Sequence, residues 1–384
     1  MAVLPMTIPS RLDELMPDIP GSVFNSAFRL ACERLDGFVG ALSVELAAEL
    51  GLGTGEVPPV ESLADQRGWK NEGALSLRWL LETLELYGEA ERRGDGWRLR
   101  GGTPPASSAQ LRAEGEFALP ATCPAYEVFT LSANALPGIL KGQLRGEDAL
   151  FGPAAMGLWF DYFSNANPHY APNNQVTALA VERAVGPGAR VLEVGGGGGS
   201  AALALLDALA KEHKTPSNYV FTELQPAFLR RGVRAIQQVL PGGCDLRSFR
   251  YDIDVDPAAQ GVEAGQFDAV FGVNTLHLAR EVIGTLQRLR ALLRPGGVLV
   301  VGELLRPTPT AAVHLELPFT LLTTYCQAPL EEGIRVRPGF MSVSGWRRAL
   351  EAAGFTKISI LPAEIERCSE IYPGFYCGAI TARA

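Results

Sequence analysis

The sequence predicts an α/β protein in which a doubly wound, mainly parallel sheet follows a mainly α-helical N-terminal region. Strand and helix patterns alternate from residue 189 onward, as expected for parallel strands joined by crossover helices. A run of glycines follows the first of these strand patterns, and an acidic residue closes each of the first three. Together these features predict a ligand site at the carboxyl ends of the strands, where such sheets bind their ligands.

The composition predicts an ordered, water-soluble protein. Of its 384 residues, 47% are hydrophobic and 20% charged, with a formal net charge of -8. That length allows a large core and two globular units. We expect no nucleic-acid partner, because such binding depends on clustered Lys and Arg. Scattered cysteines without metal spacing favour free thiols in a reducing compartment, and no signal segment or membrane-length apolar run is visible, so we expect a cytoplasmic protein without a membrane partner.

Residues 1–105 are predicted to form a helical, winged-helix-like N-terminal domain. Apolar spacing predicts a long helix from Phe24 to Gly51, a short helix over 63–67 capped by Ser62, and an amphipathic helix over 74–87. A hairpin turn is expected at Asp95-Gly96. Acidic residues offset the basic ones in this region, so we expect a role in dimerisation or in lining a pocket rather than in binding DNA.

A linker rich in glycine, proline and small polar residues is predicted over 101–115. A mostly helical stretch follows, and we interpret 106–185 as a helical lid and connector. Residues 186–384 are then the domain that contains the sheet. Its predicted strands and helices alternate over 189–194, 201–211, 218–223, 227–239, 247–253, 268–273, 281–293 and 297–303.

The glycine run, residues 195–199, is the strongest indication of a cofactor site. It lies between a buried strand pattern and a helix beginning near Ala201, so glycines turn the chain and admit a ligand against bare backbone. The free N–H groups of that helix can face an anion. The segment Gly196–Ala201 also satisfies the G-x-G-x-x-A dinucleotide pattern. A nicotinamide-dependent enzyme is therefore an alternative at this point.

The acids at the strand ends favour a cationic cofactor. Glu193, Glu223 and Asp252 close three successive strand patterns. An acid after the second strand can accept ribose hydroxyls, and an acid after the third can accept an adenine amino group. Glu193 would repel a pyrophosphate but suits a sulfonium with an amino-acid tail, S-adenosylmethionine. The candidate cofactor-binding residues are Glu193, Gly195, Gly197, Gly199, Glu223, Asp252, Ile253 and Asn274.

Three further segments, 267–277, 292–303 and 352–355, carry a family resemblance. The first two resemble the fourth and fifth strands of class I S-adenosylmethionine-dependent methyltransferases, and Ala352-Ala353-Gly354-Phe355 resembles the turn into their final antiparallel pair. This resemblance implies a seven-stranded, Rossmann-like methyltransferase sheet.

Within that superfamily, 219–229 and 252–261 resemble the C-methyltransferase domains of polyketide synthases. The likeness begins near residue 126, and the first hundred residues look more like the winged-helix portion of small-molecule O-methyltransferases. The resemblance implies a catalytic dyad of a histidine after the fourth strand and a glutamate after the fifth, which fall on His277 and Glu303. A histidine can remove the acceptor's proton, and a carboxylate can orient its ring.

Several other residues are candidates for a lid or for acceptor binding. Tyr162, His169, Tyr170 and Asn174 lie just before the cofactor domain, and His314 follows the fifth strand. A plain interdomain loop is the alternative interpretation of the first four. His169, His277, Glu303 and His314 contain the residue types of a two-histidine, one-carboxylate metal site, but their spacing does not demand one and we expect no metal.

The sequence therefore predicts a methyltransferase that acts on a small-molecule, polyketide-like natural product, with C-methylation and His277 as general base. O-methylation of a phenolic or enolic acceptor is the alternative. A non-catalytic cofactor-sensing or scaffold protein is an alternative from another class. The acceptor can be free or bound to a carrier protein, and we expect a homodimer.

Overall fold

The computed structural model describes residues 7–152 and 154–384 and has a three-stranded and a seven-stranded sheet. Residues 1–6, where a signal segment would begin, lie outside the described part of the chain. The strands are β1 Gly55–Val57, β2 Ala90–Arg93, β3 Gly96–Leu99, β4 Arg190–Glu193, β5 Asn218–Thr222, β6 Asp245–Phe249, β7 Phe267–Val273, β8 Leu293–Leu304, β9 Thr356–Leu361 and β10 Cys377–Arg383.

The α-helices occur in two groups, before and among the strands of the large sheet. Before it lie α1 Ser26–Glu49, α2 Val60–Arg67, α3 Ala74–Leu86, α4 Ser108–Ala118, α5 Cys123–Leu140, α6 Gly146–Leu150, α7 Met156–Tyr162 and α8 Ala171–Ala184. Within and after it lie α9 Ser200–Lys211, α10 Pro226–Val239, α11 Val282–Leu292, α12 Leu317–Thr320, α13 Thr323–Cys326, α14 Val343–Ala352 and α15 Ile365–Ile371.

The large sheet has the strand order β6-β5-β4-β7-β8-β10-β9, and the predicted doubly wound fold is confirmed. The first five strands in this order pair in parallel, while β10 is antiparallel to both β8 and β9. The order reverses between β4 and β7, so the carboxyl ends of these two strands flank a crevice. The predicted ligand site therefore lies at the carboxyl ends of the central strands, in the crevice between β4 and β7.

The N-terminal region is mainly helical, as predicted, with β1, β3 and β2 forming a small antiparallel sheet. Two local predictions were wrong. Helix α2 begins at Val60 after Pro59, so Ser62 lies inside the helix and does not cap it, because the fixed backbone of Pro59 already sets the helix entry. The hairpin turn is centred on Gly94-Asp95, where Gly94 has φ +57°, and Gly96 already belongs to β3. The winged-helix assignment stays a prediction.

The predicted linker over 101–115 is only partly correct, because Ser108–Ala118 forms helix α4. The Ser107 side chain accepts a hydrogen bond from Gln110 N at 3.2 Å and caps this helix. Serine is common both in loops and at helix N-caps, so the Ser107-Ser108 pair in the sequence is as compatible with a helix start as with a loop. Among the described residues, every helix is too short or too polar to cross a bilayer.

The hydrophobic core forms two clusters of buried side chains. One joins the large sheet to residues between Ile8 and Cys32, and the other joins the helices between Leu35 and Tyr162 to residues between Val313 and Phe340. Helix α1 therefore contributes to both clusters. The predicted domain boundaries at 105 and 185 stay predictions.

Candidate active site

A cavity lies at the carboxyl ends of β4, β5, β7 and β8 and at the start of β10. Four parts of the chain line it: helix α1 with Phe28 and Cys32, residues between Phe151 and Asn174, the strand ends of the large sheet with the loops beside them, and residues between Leu315 and Phe340. Most of its wall is apolar, with a small number of polar groups, which is the usual composition of a small-molecule site.

The glycine loop forms one side of this cavity, and its glycines have different roles. A side chain at Gly195 would meet Thr275, one at Gly196 would meet the Phe221 ring, and one at Gly199 would meet the Gly232 backbone. Gly197 has φ +53° and would place its side chain in open space within the cavity. Gly195 and Gly197 line the cavity, whereas Gly199 serves the close packing of α9 against α10.

Two of the predicted acids face the cavity beside the loop. Oε2 of Glu223 accepts a hydrogen bond from Gly197 N at 3.0 Å, and its Oε1 accepts one from Gln225 N at 2.7 Å. Each oxygen keeps a lone pair for a ligand hydroxyl.

Glu193 is buried, and its Oε2 accepts a hydrogen bond from the Tyr219 hydroxyl at 2.7 Å. Burial, with a further contribution from the charge of Glu223, raises the pKa of Glu193 to about 8. This raised pKa favours the protonated carboxyl in the unliganded protein near neutral pH, and the negative charge expected of Glu193 stays a prediction. Its Oε1 has no partner and belongs to a residue that lines the cavity.

Asp252 and Ile253 follow β6, the third strand of the large sheet along the chain. The sequence predicted that this strand would include them, but they lie beyond its end. Strand β6 ends at Phe249, and among the described residues neither Asp252 nor Ile253 lines the cavity. The Asp252 backbone and side chain take part in a local turn with Gln260 and Asp254. A role for this turn in cofactor binding stays a prediction.

His277 and Glu303 form a buried pair at the ends of β7 and β8. Nδ1 of His277 lies 2.7 Å from Oε2 of Glu303, and the His277 backbone N–H donates to Oε1 at 3.2 Å. His277 lines the cavity, while Glu303 lies behind it. Because Nδ1 faces the carboxylate, Nε2 is the ring nitrogen left for a ligand. The ring also packs against Phe340, with centroids 4.6 Å apart.

Asn274 links the strand ends to the segment above them. It has φ +49°, a left-handed conformation that asparagine tolerates better than most residues. Its Oδ1 accepts a hydrogen bond from Leu304 N at 3.0 Å, and its Nδ2 donates to the Tyr170 hydroxyl at 3.2 Å. Both Asn274 and Tyr170 line the cavity.

The other candidate lid residues also gather at the cavity. Tyr162, His169 and Asn174 all line it. Burial lowers the pKa of His169 to about 4, so this imidazole is neutral at physiological pH. Nδ2 of Asn174 donates to Asn165, whose own amide donates to Ser200 O at 2.7 Å, which ties the segment to the start of α9.

His314 is the candidate that does not line the cavity in the described part of the chain. It is buried, with Nε2 2.9 Å from Oδ1 of Asp36 and Nδ1 3.0 Å from the Tyr376 hydroxyl. Tyr376 does line the cavity, so His314 reaches the cavity wall through this phenol.

Sequence reasoning missed several residues of the cavity wall. Asn173 has a buried Oδ1 without a partner, and Tyr325, Phe340 and Tyr376 surround the other polar groups. Of these, Asn173 had a visible signal, because it precedes the candidate Asn174 in the sequence Pro172-Asn173-Asn174. Tyr325 lies in the four-residue helix α13, while Phe340 and Tyr376 lie in loops, so none of the three follows a long periodic pattern.

Comparison with known proteins agrees with this geometry. Residues 192–299 match the family described as a methyltransferase domain. Over 310 residues the chain is 30% identical to polyketide synthase ThaQ of Burkholderia thailandensis, which covers 74% of the chain and 14% of ThaQ. Over 242 residues it is 30% identical to the highly reducing polyketide synthase valA of Aspergillus terreus, which covers 60% of the chain and 9% of valA.

Two solved structures share the fold along nearly the whole chain. The DszA carbon methyltransferase matches with a TM-score of 0.71 and 22% identity, covering 100% of this chain and 99% of that one. The CurJ carbon methyltransferase matches with a TM-score of 0.71 and 20% identity, covering 97% and 96%.

The fold and the matched domain define the protein as a methyltransferase with a Rossmann-like sheet. It is homologous to polyketide synthases over part of their length and has the fold of their carbon methyltransferase domains. The chain spans only 14% of ThaQ and 9% of valA, so the reactions of those whole proteins do not transfer to it.

Proposed function

We propose that the protein is an S-adenosylmethionine-dependent methyltransferase that methylates a carbon atom of a polyketide-like small molecule. The observation that carries this proposal is the presence of two elements in one cavity: the glycine loop bonded to Glu223, and the His277–Glu303 pair. The first suits a nucleoside cofactor and the second suits proton removal from an acceptor.

The residues at the loop fit the cofactor. Gly197 leaves space that any side chain would fill, and Glu223 keeps lone pairs for ribose hydroxyls. The unpartnered Oε1 of Glu193 would accept a hydrogen bond from the amino group of the cofactor's amino-acid tail, whose positive charge favours the ionised carboxylate. When bound, S-adenosylmethionine would supply an electrophilic methyl group on a cationic sulfur. Asn274 and Tyr170 would hold the covering segment in place over it.

His277 would act as the general base. Its Nε2 would take a proton from the acceptor carbon, and the electron pair left on that carbon would form the new bond to the methyl group as the methyl–sulfur bond breaks and the sulfur keeps its electron pair. Glu303 accepts from Nδ1–H, which holds the ring and stabilises the imidazolium that forms. Phe340 and the buried surroundings exclude water, so the proton moves between the two bound groups.

Carbon as the methyl acceptor is favoured by the relatives whose fold the chain shares, which are described as carbon methyltransferases. A carbon between two carbonyl groups is acidic enough for a histidine base. A free or carrier-bound acceptor, a homodimer and a cytoplasmic location are parts of this proposal that other measurements must test. A cofactor-sensing role is distinguished by whether any methyl transfer occurs.

The test is methyl transfer from labelled S-adenosylmethionine to a panel of 1,3-dicarbonyl thioesters and phenols, with the product examined by NMR. A methyl group on carbon, lost in His277→Ala, supports the proposal. A methyl group only on oxygen contradicts the carbon assignment. Stabilisation by nicotinamide cofactors but not by S-adenosylhomocysteine contradicts the cofactor.

A further inference from the structure

Tyr376 is the outermost member of a buried polar network that the proposed chemistry has not used. Oδ1 of Asp36 lies 2.9 Å from Nε2 of His314, and Nδ1 of His314 lies 3.0 Å from the Tyr376 hydroxyl. The Tyr372 hydroxyl donates to the other oxygen of Asp36. All four side chains are buried, and of these only Tyr376 lines the cavity.

The network lies next to the His277–Glu303 pair. The Tyr376 carbonyl accepts a hydrogen bond from Leu305 N at 2.6 Å, and Leu305 is two residues beyond Glu303. Cys377 then pairs with Leu304 at the start of β10. The phenol therefore belongs to the same edge of the sheet as the proposed base.

The surroundings of Tyr376 favour a neutral oxygen ligand. Tyr376 shares a mostly apolar cavity wall with Phe28 and Cys32 of α1 and Cys377 of β10. Burial raises the pKa of Tyr376, so the phenol keeps its proton. A fixed hydroxyl in an apolar wall can donate a hydrogen bond to a carbonyl or enol oxygen of a bound molecule.

The proton positions in the network follow from the chemistry of its members. Nε2 of His314 lies 2.9 Å from Oδ1 of Asp36 as an ion-pair contact, without the geometry of a hydrogen bond. With Nδ1 as the donor to the Tyr376 oxygen, the phenol's own proton is free to point into the cavity.

We propose that Tyr376, held by His314 and Asp36, donates a hydrogen bond to the acceptor's carbonyl oxygen next to the carbon that receives the methyl group. This inference rests on the proposed carbon methylation. Removing a proton from such a carbon moves negative charge onto that oxygen, where a preorganised donor stabilises it. Tyr376 is then a catalytic residue, while His314 and Asp36 are positioning residues.

The test uses acetoacetyl-N-acetylcysteamine as a neutral 1,3-dicarbonyl probe, with calorimetry on the full chain saturated with S-adenosylhomocysteine. Tyr376→Phe should weaken probe binding about fivefold, the effect of one hydrogen bond, and leave S-adenosylhomocysteine affinity unchanged. Turnover of the same probe should fall more, by about 10²-fold, because the donor acts mainly on the charged state. Tyr126→Phe is the matched control, since this buried tyrosine lies outside the cavity wall.

A double-mutant cycle separates positioning from general packing. Asp36→Asn should weaken probe binding in the wild-type background and have no further effect in Tyr376→Phe. Should Asp36→Asn fail to fold, His314→Gln takes its place. Full additivity, or wild-type probe binding by Tyr376→Phe, would overturn the proposal. A wild-type protein that binds S-adenosylhomocysteine but not the probe also overturns it, while failure to bind either molecule contradicts the proposed function itself.

Discussion

The main-chain N–H of Gly197 donates a hydrogen bond to the side chain of Glu223 at 3.0 Å, which joins the glycine loop to the end of the neighbouring strand β5. The two residues are the parts of the proposed cofactor site that the sequence predicted from separate signals. Their contact means that the position of the loop and the position of the acid proposed to bind the ribose depend on each other.

Gly197→Val should abolish binding of S-adenosylhomocysteine, with affinity reduced more than about 100-fold, because the side chain would fill the cofactor space and break the loop's contact with Glu223. Calorimetry measures this directly. Gly188→Val is the matched control: Gly188 also has a positive φ and open space around it, but it lies outside the cavity wall. Equal loss of binding in both variants would show that backbone strain, rather than the filled space, is responsible.

His277→Ala should keep cofactor affinity and reduce methyl transfer by about 10²- to 10⁴-fold, the usual contribution of a general base. Glu303→Gln should also slow transfer, because an amide no longer stabilises the imidazolium. His213→Asn is the control, since His213 is exposed, has no hydrogen bond through its side chain and has a backbone conformation that asparagine accepts. An unchanged rate in His277→Ala would contradict the assignment of the base.

The raised pKa of Glu193, about 8, gives a prediction for stability against pH. The folded state binds a proton on Glu193 that the unfolded state releases near its ordinary value of 4.5, so this contribution is full at low pH and is lost as the pH rises toward 8 and above. Relative to Glu193→Gln, the unliganded wild type should lose about 3 kcal/mol of unfolding free energy between pH 6 and pH 9, most of it below pH 8. Urea denaturation at several pH values measures this difference. Parallel curves for the two proteins would mean that Glu193 is ionised in the fold.

Tyr170→Phe should loosen the segment proposed as a lid, residues 156–174, because it removes the hydroxyl that accepts from Asn274 at 3.2 Å. One neutral hydrogen bond corresponds to about a fivefold change, so we expect cofactor affinity to fall by about that factor. Hydrogen exchange of residues 156–170 should become faster in the liganded protein. Tyr126→Phe again serves as control, and equal exchange in wild type and Tyr170→Phe would contradict the link.

The sequence predicted the sheet and the residues at its strand ends because both depend on local patterns. The doubly wound sheet and the glycine loop follow from alternating elements whose ends meet at one edge, whereas the pairing of His277 with Glu303 was implied by the family resemblance. Asp252 was predicted to close a strand because the strand pattern in the sequence continues to it. In the sheet, β6 pairs with β5 only as far as Phe249.

The polar network of Tyr376, His314 and Asp36 could not be predicted from the sequence, for a physical reason. Asp36 lies on a helix with generic amphipathic spacing, and 278 residues separate it from His314. Nothing local marks a buried acid that will meet a histidine so distant in the chain.

Similarly, Ser107-Ser108 favours a loop and a helix start equally, and only the contact of Ser108 with Glu45 of α1 decides between them.

Helix α1 supplies Phe28 and Cys32 to the cavity wall, although the match to the methyltransferase domain begins only at residue 192. The shape selectivity of this enzyme is therefore not encoded in its cofactor-binding half alone. Chimeras that exchange the first helix between homologues, with the sheet left intact, should alter which acceptors are turned over while preserving the donor. Evolution can in this way diversify the products through a segment that carries none of the reacting groups.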